Sequence, residues 1–437
     1  MAQPENSIPD EPASYRSIIH FMPGKRAVGD VMPFYWKGEY HVFYLTNPTG
    51  NVDVHWEHIA STDLVNWTEL PPALSPDHGN PKGSEGCCMF TGCVVEKDDI
   101  FHAWYTSWNP ENPDGREFLS HATSRDLVRW TKHPEDMISP DGVHYANHHK
   151  RDFRDPQIFW NKEAGEYWMH ILAQVPGEKG SRFGLLTSKD LTVWQQEPAV
   201  EGVQGDECPD YFRIGDMHYI HSCRRYCYSE NVNGPYKFPT LMHELDRPHI
   251  NAPKRVWDGK RHVWFGGWAG GPMPAPREVY GGPDGLLYMK PVREVVSVFK
   301  HTLLDLTDKL NLPESSSEAF FDVPANCMLD FRVKLAFKSR FTIRLREDYR
   351  LTLLPERGQL VLAGPGIDHR RPCPVNSSET VKIQIFVEGS LIECFVNDQY
   401  AQTCKAPAHQ NGRLGLSADG GKAEVVSLLV KTQDLGV

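Results

Sequence analysis

Apolar and polar positions alternate along this chain in short runs, and the dominant period is two. Tyr40-His-Val-Phe-Tyr-Leu45, Ile100-Phe-His-Ala-Trp-Tyr105 and Glu166-Tyr-Trp-Met-His-Ile-Leu172 are brief and rich in aromatic and β-branched residues. Trp56-Glu-His-Ile-Ala60, Phe118-Leu-Ser-His-Ala122 and Phe183-Gly-Leu-Leu-Thr187 share that character. Gly, Pro, Asn and Asp separate the runs. This pattern predicts strands joined by turns, and no stretch sustains a helical period, so an all-β fold is expected.

A seven-residue pattern punctuates the strands. Ser61-Thr-Asp63-Leu64-Val-Asn-Trp67 recurs as Ser124-Arg-Asp126-Leu127-Val-Arg-Trp130 and as Ser188-Lys-Asp190-Leu191-Thr-Val-Trp194, at spacings of 63 and 64 residues. A repeat at nearly constant period marks a repeated supersecondary unit. Four strands with their turns fill roughly 40–60 residues, the size of a propeller blade. The stretch from Asp30 to near Lys300 then predicts roughly five blades. In each repeat the Ser and Asp are expected to bond turn backbone, and the Trp to pack between blades.

All 12 tryptophans lie at or before Trp268, and this change of composition places a boundary near residue 300. The expectation is a five-bladed β-propeller over 1–300 followed by a C-terminal β-sandwich over 301–437. Leu310-Asn-Leu-Pro-Glu-Ser-Ser-Ser-Glu318 reads as a linker or loop. Alternating strands follow at Arg340–Arg346, Val381–Val387, Leu391–Val396 and Ala423–Val430.

Charge and composition narrow the function. Among 437 residues there are 46 basic and 57 acidic side chains, a net charge of −11, which argues against a nucleic-acid partner. No apolar run is long enough to span a membrane. The opening segment, Met1 to Pro12, lacks a basic region and an apolar core, so no signal peptide and a cytoplasmic location are expected. The ten cysteines are then expected to be reduced, buried thiols. They do not form zinc pairs, and no Gly-rich phosphate loop is present. No metal or cofactor is therefore expected.

The inner strands of a propeller converge on one axial funnel, where carboxylates distant in sequence can meet. Three are singled out by apolar or aromatic neighbours. Asp30 lies in Ala27-Val-Gly-Asp30-Val-Met-Pro-Phe-Tyr-Trp36, just before a predicted strand. Asp155 lies in Arg154-Asp155-Pro156, where Arg in fork geometry and Asp could hold vicinal hydroxyls. Glu207 lies in Asp206-Glu207-Cys208-Pro209-Asp210, where crowding favours a raised carboxyl pKa, as an acid catalyst needs. Together they supply a nucleophile, an acid/base and a third carboxylate for retaining glycoside hydrolysis. Sugar rings stack on aromatic faces, and Trp56, Phe90 and Trp268 are candidates for that contact.

At these residues the chain resembles glycoside hydrolase family 32, the invertase, inulinase and levanase family. His20-Phe-Met-Pro, Lys37–Pro48, His55–Trp67, Phe90-Thr-Gly-Cys-Val94, Arg154-Asp155-Pro156 and Glu207-Cys208-Pro209-Asp210 follow in the family's order. Pro276-Arg-Glu-Val, Leu286–Val292 and Phe386–Asp398 continue it. The resemblance implies a five-bladed propeller plus β-sandwich. It implies Asp30 as nucleophile, Glu207 as general acid/base, and Asp155 as transition-state stabiliser, kept ionised by Arg154, which also binds sugar hydroxyls. The implied reaction is retaining cleavage of a β-fructofuranosidic bond in sucrose or fructo-oligosaccharides. The family usually carries Asn-Asp-Pro-Asn-Gly at the nucleophile, whereas this chain has Gly29-Asp30-Val31-Met32-Pro33.

Two alternatives stay open. One is a glycosidase or transglycosylase of the same plan on a non-fructose sugar, such as an arabinoside or xyloside. The other is a propeller that binds sugar without cleaving it. A phosphorylated sugar would call for basic clamps, with the loop His144–Arg151, Arg224 and Arg225 as candidates.

Overall fold

The computed structural model describes residues 17–24, 27–46, 53–76, 88–112, 116–241, 244–246, 250–267, 271–307, 310–312, 315–346, 348–406 and 411–433. Among these residues strands dominate, and the single α-helix is one turn, Arg293–Val296. The chain divides into two compact units. One holds Phe21–Glu244 and Ile250–Leu286, and the other is built on Leu287–Val437.

The first unit is a series of antiparallel sheets. The first contains β1 (Val28–Trp36), β2 (Glu39–Thr46), β3 (Trp56–Ser61) and β4 (Thr68–Leu74). The second contains β5 (Cys88–Lys97), β6 (Ile100–Trp108), β7 (Glu117–Ser124) and β8 (Trp130–Lys132). The third contains β9 (Phe153–Asn161), β10 (Glu166–Gln174), β11 (Ser181–Ser188) and β12 (Gln195–Glu197). Then come β13 (Asp210–Ile214), β14 (Met217–His221) and β15 (Tyr226–Ser229). Last are β16 (Asn251–Trp257), β17 (His262–Gly267) and β18 (Arg277–Gly281). The first strands lie side by side: β1 packs on β5 and β16, β5 on β9, and β9 on β13. The Arg255 amide of β16 reaches the Asp210 carboxylate of β13 at 2.8 Å.

The seven-residue repeat closes the third strand of the first three sheets, and its chemistry is the same each time. Asp63 Oδ1 accepts from the amides of Val65 and Asn66, Asp126 Oδ1 from Val128 and Arg129, and Asp190 Oδ1 from Thr192 and Val193. The Ser hydroxyl of each repeat accepts the Asp amide. These bonds hold the buried leucine in the left-handed region, at φ 64° for Leu64 and Leu127 and 72° for Leu191. A β-carbon is disfavoured there, so the turn is maintained by its side-chain bonds and by burial of the leucine. The Trp then packs on an aromatic ring of a neighbouring sheet. Trp130 meets Phe43 at 5.9 Å, Trp194 meets Trp104 at 5.8 Å and Trp67 meets Phe265 at 6.1 Å.

The second unit has a seven-stranded and a six-stranded antiparallel sheet. Inward positions alternate with exposed ones, as in Arg340–Leu345, where Phe341, Ile343 and Leu345 are buried. The stretch read as a linker is strand instead. Leu310–Leu312 pairs with Ala423–Val425, and Ser315–Pro324 pairs with Asn411–Asp419. Pairing with a strand distant in sequence, rather than local side-chain pattern, makes this stretch extended, with an irregularity between Ser315 and Ala319. His20 joins this unit, its ring 3.2 Å from Glu388 and 3.5 Å from Glu393.

Candidate active site

Four first strands carry the same irregularity. In β1, β5, β9 and β16, three residues advance against two on the second strand: between Val28 and Val31, Met89 and Gly92, Arg154 and Gln157, and Asn251 and Lys254. These are β-bulges, which break the ladder and re-aim side chains. Asp30, Thr91, Asp155 and Asn251 sit on them, and all four line one cavity of about 390 Å³. Asp30 was read as lying just before a strand. It lies within one, because pairing begins at Val28 and continues through the bulge.

Asp30 is partly buried in this cavity, and its Oδ2 accepts from the Thr91 hydroxyl at 2.5 Å and the Cys208 thiol at 3.6 Å. Burial raises its carboxyl pKa. The two hydrogen bonds oppose that rise, and the Glu207 charge adds to it. Asp155 is held at φ 62°, with its amide bonded to the Thr106 hydroxyl at 2.8 Å. Its Oδ2 accepts from the Cys208 amide at 2.9 Å and the Cys208 thiol at 3.7 Å. One sulfur thus touches both aspartates. Glu207 is the exposed member, with its side chain 48% accessible.

Arg154 is the cationic hub. Its Nη2 donates to Glu207 Oε1 at 2.9 Å, its Nη1 contacts Glu117 at 3.2 Å and also bonds Asp152, and its Nε lies 3.8 Å from Asp155. Burial works against its charge, but Asp155, Glu117 and Asp152 hold it firmly cationic. It favours the ionised form of Asp155, and burial works against it. Burial pushes the Asp155 carboxyl up to about 7, Arg154 pulls it down only in part, and Glu207 and Asp30 push it further up. Arg154 is the largest influence opposing burial at Asp155, while its fork also serves Glu207, Glu117 and Asp152.

This shift has a consequence for stability. The folded state binds a proton on Asp155 that the unfolded chain releases near the ordinary 3.8, so its contribution to stability falls as pH rises from about 4 towards about 7. Asp155→Asn, which abolishes that charge, is expected to raise the melting temperature more at pH 8 than at pH 5. Equal shifts at both pH values in thermal denaturation would contradict this.

The aromatic candidates separate. Phe90 lines the cavity, joined by Trp108, whose ring centre is 6.0 Å away. The pattern of runs gave no sign of Trp108. Trp56 is fully buried, with its indole N–H on the Phe90 carbonyl at 2.9 Å, so it packs in the core behind the site and cannot stack on a sugar. Alternation along β3 turns it inward. Trp268 lies outside the described residues. The proposed phosphate clamps are not in the cavity wall. Arg151 is completely buried, bonding the Glu117 carbonyl at 3.1 Å, His144 bonds Asp141 at 2.7 Å, and Arg225 covers Phe238 at 3.9 Å. Arg224 is exposed and does not line it either. Arg116, Glu117, Cys208 and Cys223, which were not singled out, do line it. Among the described residues no group of His, Cys, Asp and Glu is arranged to hold a metal, and no helix is long and apolar enough to cross a membrane.

The cavity thus brings together two aspartates, one accessible glutamate and an aromatic wall. The model of the glycosyl hydrolases family 32 N-terminal domain matches residues 20–272, and the chain belongs to that family. It is a fructofuranosidase-type glycoside hydrolase. It is 27% identical over 460 residues to a sucrose-6-phosphate hydrolase of Escherichia coli, covering 93% of this chain and 92% of that one. A raffinose invertase of Escherichia coli is also 27% identical, over 93% and 92% of the two chains. The exo-inulinase of Aspergillus awamori shares the fold, with a TM-score of 0.78 at 20% identity, over 97% of this chain and 99% of that chain.

Proposed function

We propose that the chain is a retaining β-fructofuranosidase acting on sucrose or short fructans, with Asp30 as nucleophile, Glu207 as acid/base and Asp155 as stabiliser. In this reading the five sheets of the first unit are blades of a propeller around the cavity, and the second unit is a sandwich. The supporting observation is the division of labour among three carboxylates in one cavity. Asp30 is partly buried and restrained by Thr91 and Cys208, as a nucleophile needs for in-line attack on the anomeric carbon. Glu207 is accessible and steered by Arg154, as a group that protonates a leaving oxygen and then activates water must be. Asp155 faces the same space and can accept from sugar hydroxyls. The names of the relatives support fructosides as the substrate class.

The test is the stereochemistry of turnover. Proton NMR during hydrolysis of sucrose should show β-fructofuranose as the first-formed anomer, before mutarotation. Release of the α-anomer first would indicate single displacement and remove Asp30 from its role. Faster hydrolysis of arabinosides or xylosides than of any fructoside would remove the substrate assignment.

A further inference from the structure

The cavity has two thiols in its wall, Cys208 and Cys223. Their relation follows from strand register. β13 and β14 pair Asp210 with His221 and Tyr211 with Ile220. Continued two residues towards the cavity, the same register would set Cys208 opposite Cys223. The pairing slips by one residue at that point: the Cys223 amide donates to the Glu207 carbonyl at 2.9 Å and Cys208 stands in the left-handed region at φ 57°, so Cys223 lies against the Glu207–Cys208 step. The two side chains pack together in one small cluster with Ala252, and their thiols are within hydrogen-bonding reach of each other.

We propose that Cys208 and Cys223 form a reversible redox pair, and that their disulfide switches the active site off. The step is thiol–disulfide exchange with a small disulfide. One thiolate attacks a sulfur of the reagent and expels a thiolate, giving a mixed disulfide. The second cysteine attacks the protein sulfur of that bond and expels the other thiol. Two protein thiols are oxidised, one reagent disulfide is reduced to two thiols, and the two protons pass to the released thiolates.

The switch acts through Cys208. Its sulfur lies 3.6 Å from Asp30 and 3.7 Å from Asp155, so its single S–H can donate to either carboxylate. A disulfide has no proton to donate, so neither aspartate would keep that donor. The new bond would also tether the residue that follows Glu207 and whose amide holds Asp155. The chemistry sets its own pace. The hydrogen bond with Cys223, burial and the nearby Asp155 keep the Cys208 thiol well above its ordinary pKa. The bond to Cys208 pulls the Cys223 thiol down, yet burial and the carboxylates leave it raised. Thiolate is therefore scarce at neutral pH, and the reaction should accelerate as pH rises.

The link between the cysteines is independent of the fructofuranosidase reading, and only the loss of turnover rests on it. The experiment treats the full-length reduced protein with excess oxidised glutathione at pH 7 and pH 8.5. Peptide mapping without reduction should recover Cys208 and Cys223 in one cross-linked pair, with the protein lighter by two hydrogens. Turnover should fall about tenfold or more, faster at the higher pH, and return on adding dithiothreitol. Cys223→Ser, referred to its own untreated activity, should form no cross-link, and the fraction whose intact mass shows no glutathione adduct should keep that activity. Absence of the cross-link at pH 8.5 would overturn the redox pair. A complete cross-link with unchanged turnover, or equal inactivation of adduct-free Cys223→Ser, would overturn the switch and leave the family assignment standing.

Discussion

Glu207→Gln is expected to lower kcat on sucrose by about 10²–10⁴-fold, the range for loss of a positioned general acid/base. The leaving oxygen would then depart unprotonated, and water would attack the intermediate without a base. Folding should be spared. The side chain is 48% exposed, and Arg154 keeps its contacts to Glu117 and Asp152 once Glu207 is neutral. An ion pair that exposed is worth at most about 1 kcal/mol. A fructosyl fluoride separates the two steps, since fluoride needs no proton to leave. With that substrate the variant should form its intermediate and hydrolyse it slowly, so that mass spectrometry finds a fructose covalently bound. Equal loss on sucrose and on the fluoride, with no adduct, would mean that Glu207 is not the proton donor.

Asp30→Asn is expected to be more severe, about a thousandfold or greater, because no other step replaces a missing nucleophile. It also differs in sign for stability. The Asp30 carboxyl pKa is raised by burial against the restraint of Thr91 and Cys208, so the ionised form is held at a cost. The amide still offers the Thr91 hydroxyl an acceptor, so the variant should melt at or above the wild-type temperature at neutral pH while losing its turnover. A stable Asp30→Asn with near-wild-type kcat would require another nucleophile. The raised pKa also predicts the acid limb of kcat/KM: activity falls on acidification as the aspartates of the cavity take up protons, and titration of kcat/KM against pH reads it.

The strands were legible because their cause is local. A run such as Tyr40–Leu45, with side chains facing alternately and turns on both sides, has few other ways to bury its apolar face, and it appears as Glu39–Thr46. The seven-residue repeat was legible for the same reason, since its Asp and Ser bond amides two or three residues away. Leu310–Leu312 and Ser315–Pro324 were not legible, because what makes them strands is a partner about 100 residues on, in Asn411–Thr432. Trp56 was legible as a strand residue but not as a core one, since alternation fixes two faces without saying which of them meets a sugar.

The sequence by itself determined which side chains could do chemistry. Asp30, Arg154, Asp155 and Glu207 were identifiable from their neighbours and from the family's motifs, because the reaction requires those functional groups. Only the tertiary structure decided what those groups experience. Four equivalent bulges turn residues of separate sheets into one cavity, and one sulfur meets both aspartates. Burial outweighs the pull of Arg154 and so sets the direction in which the proton affinity of Asp155 moves. The physical reason is range: backbone pairing and turn bonds act within a few residues, whereas desolvation and charge coupling depend on everything packed around a group, wherever it lies along the chain.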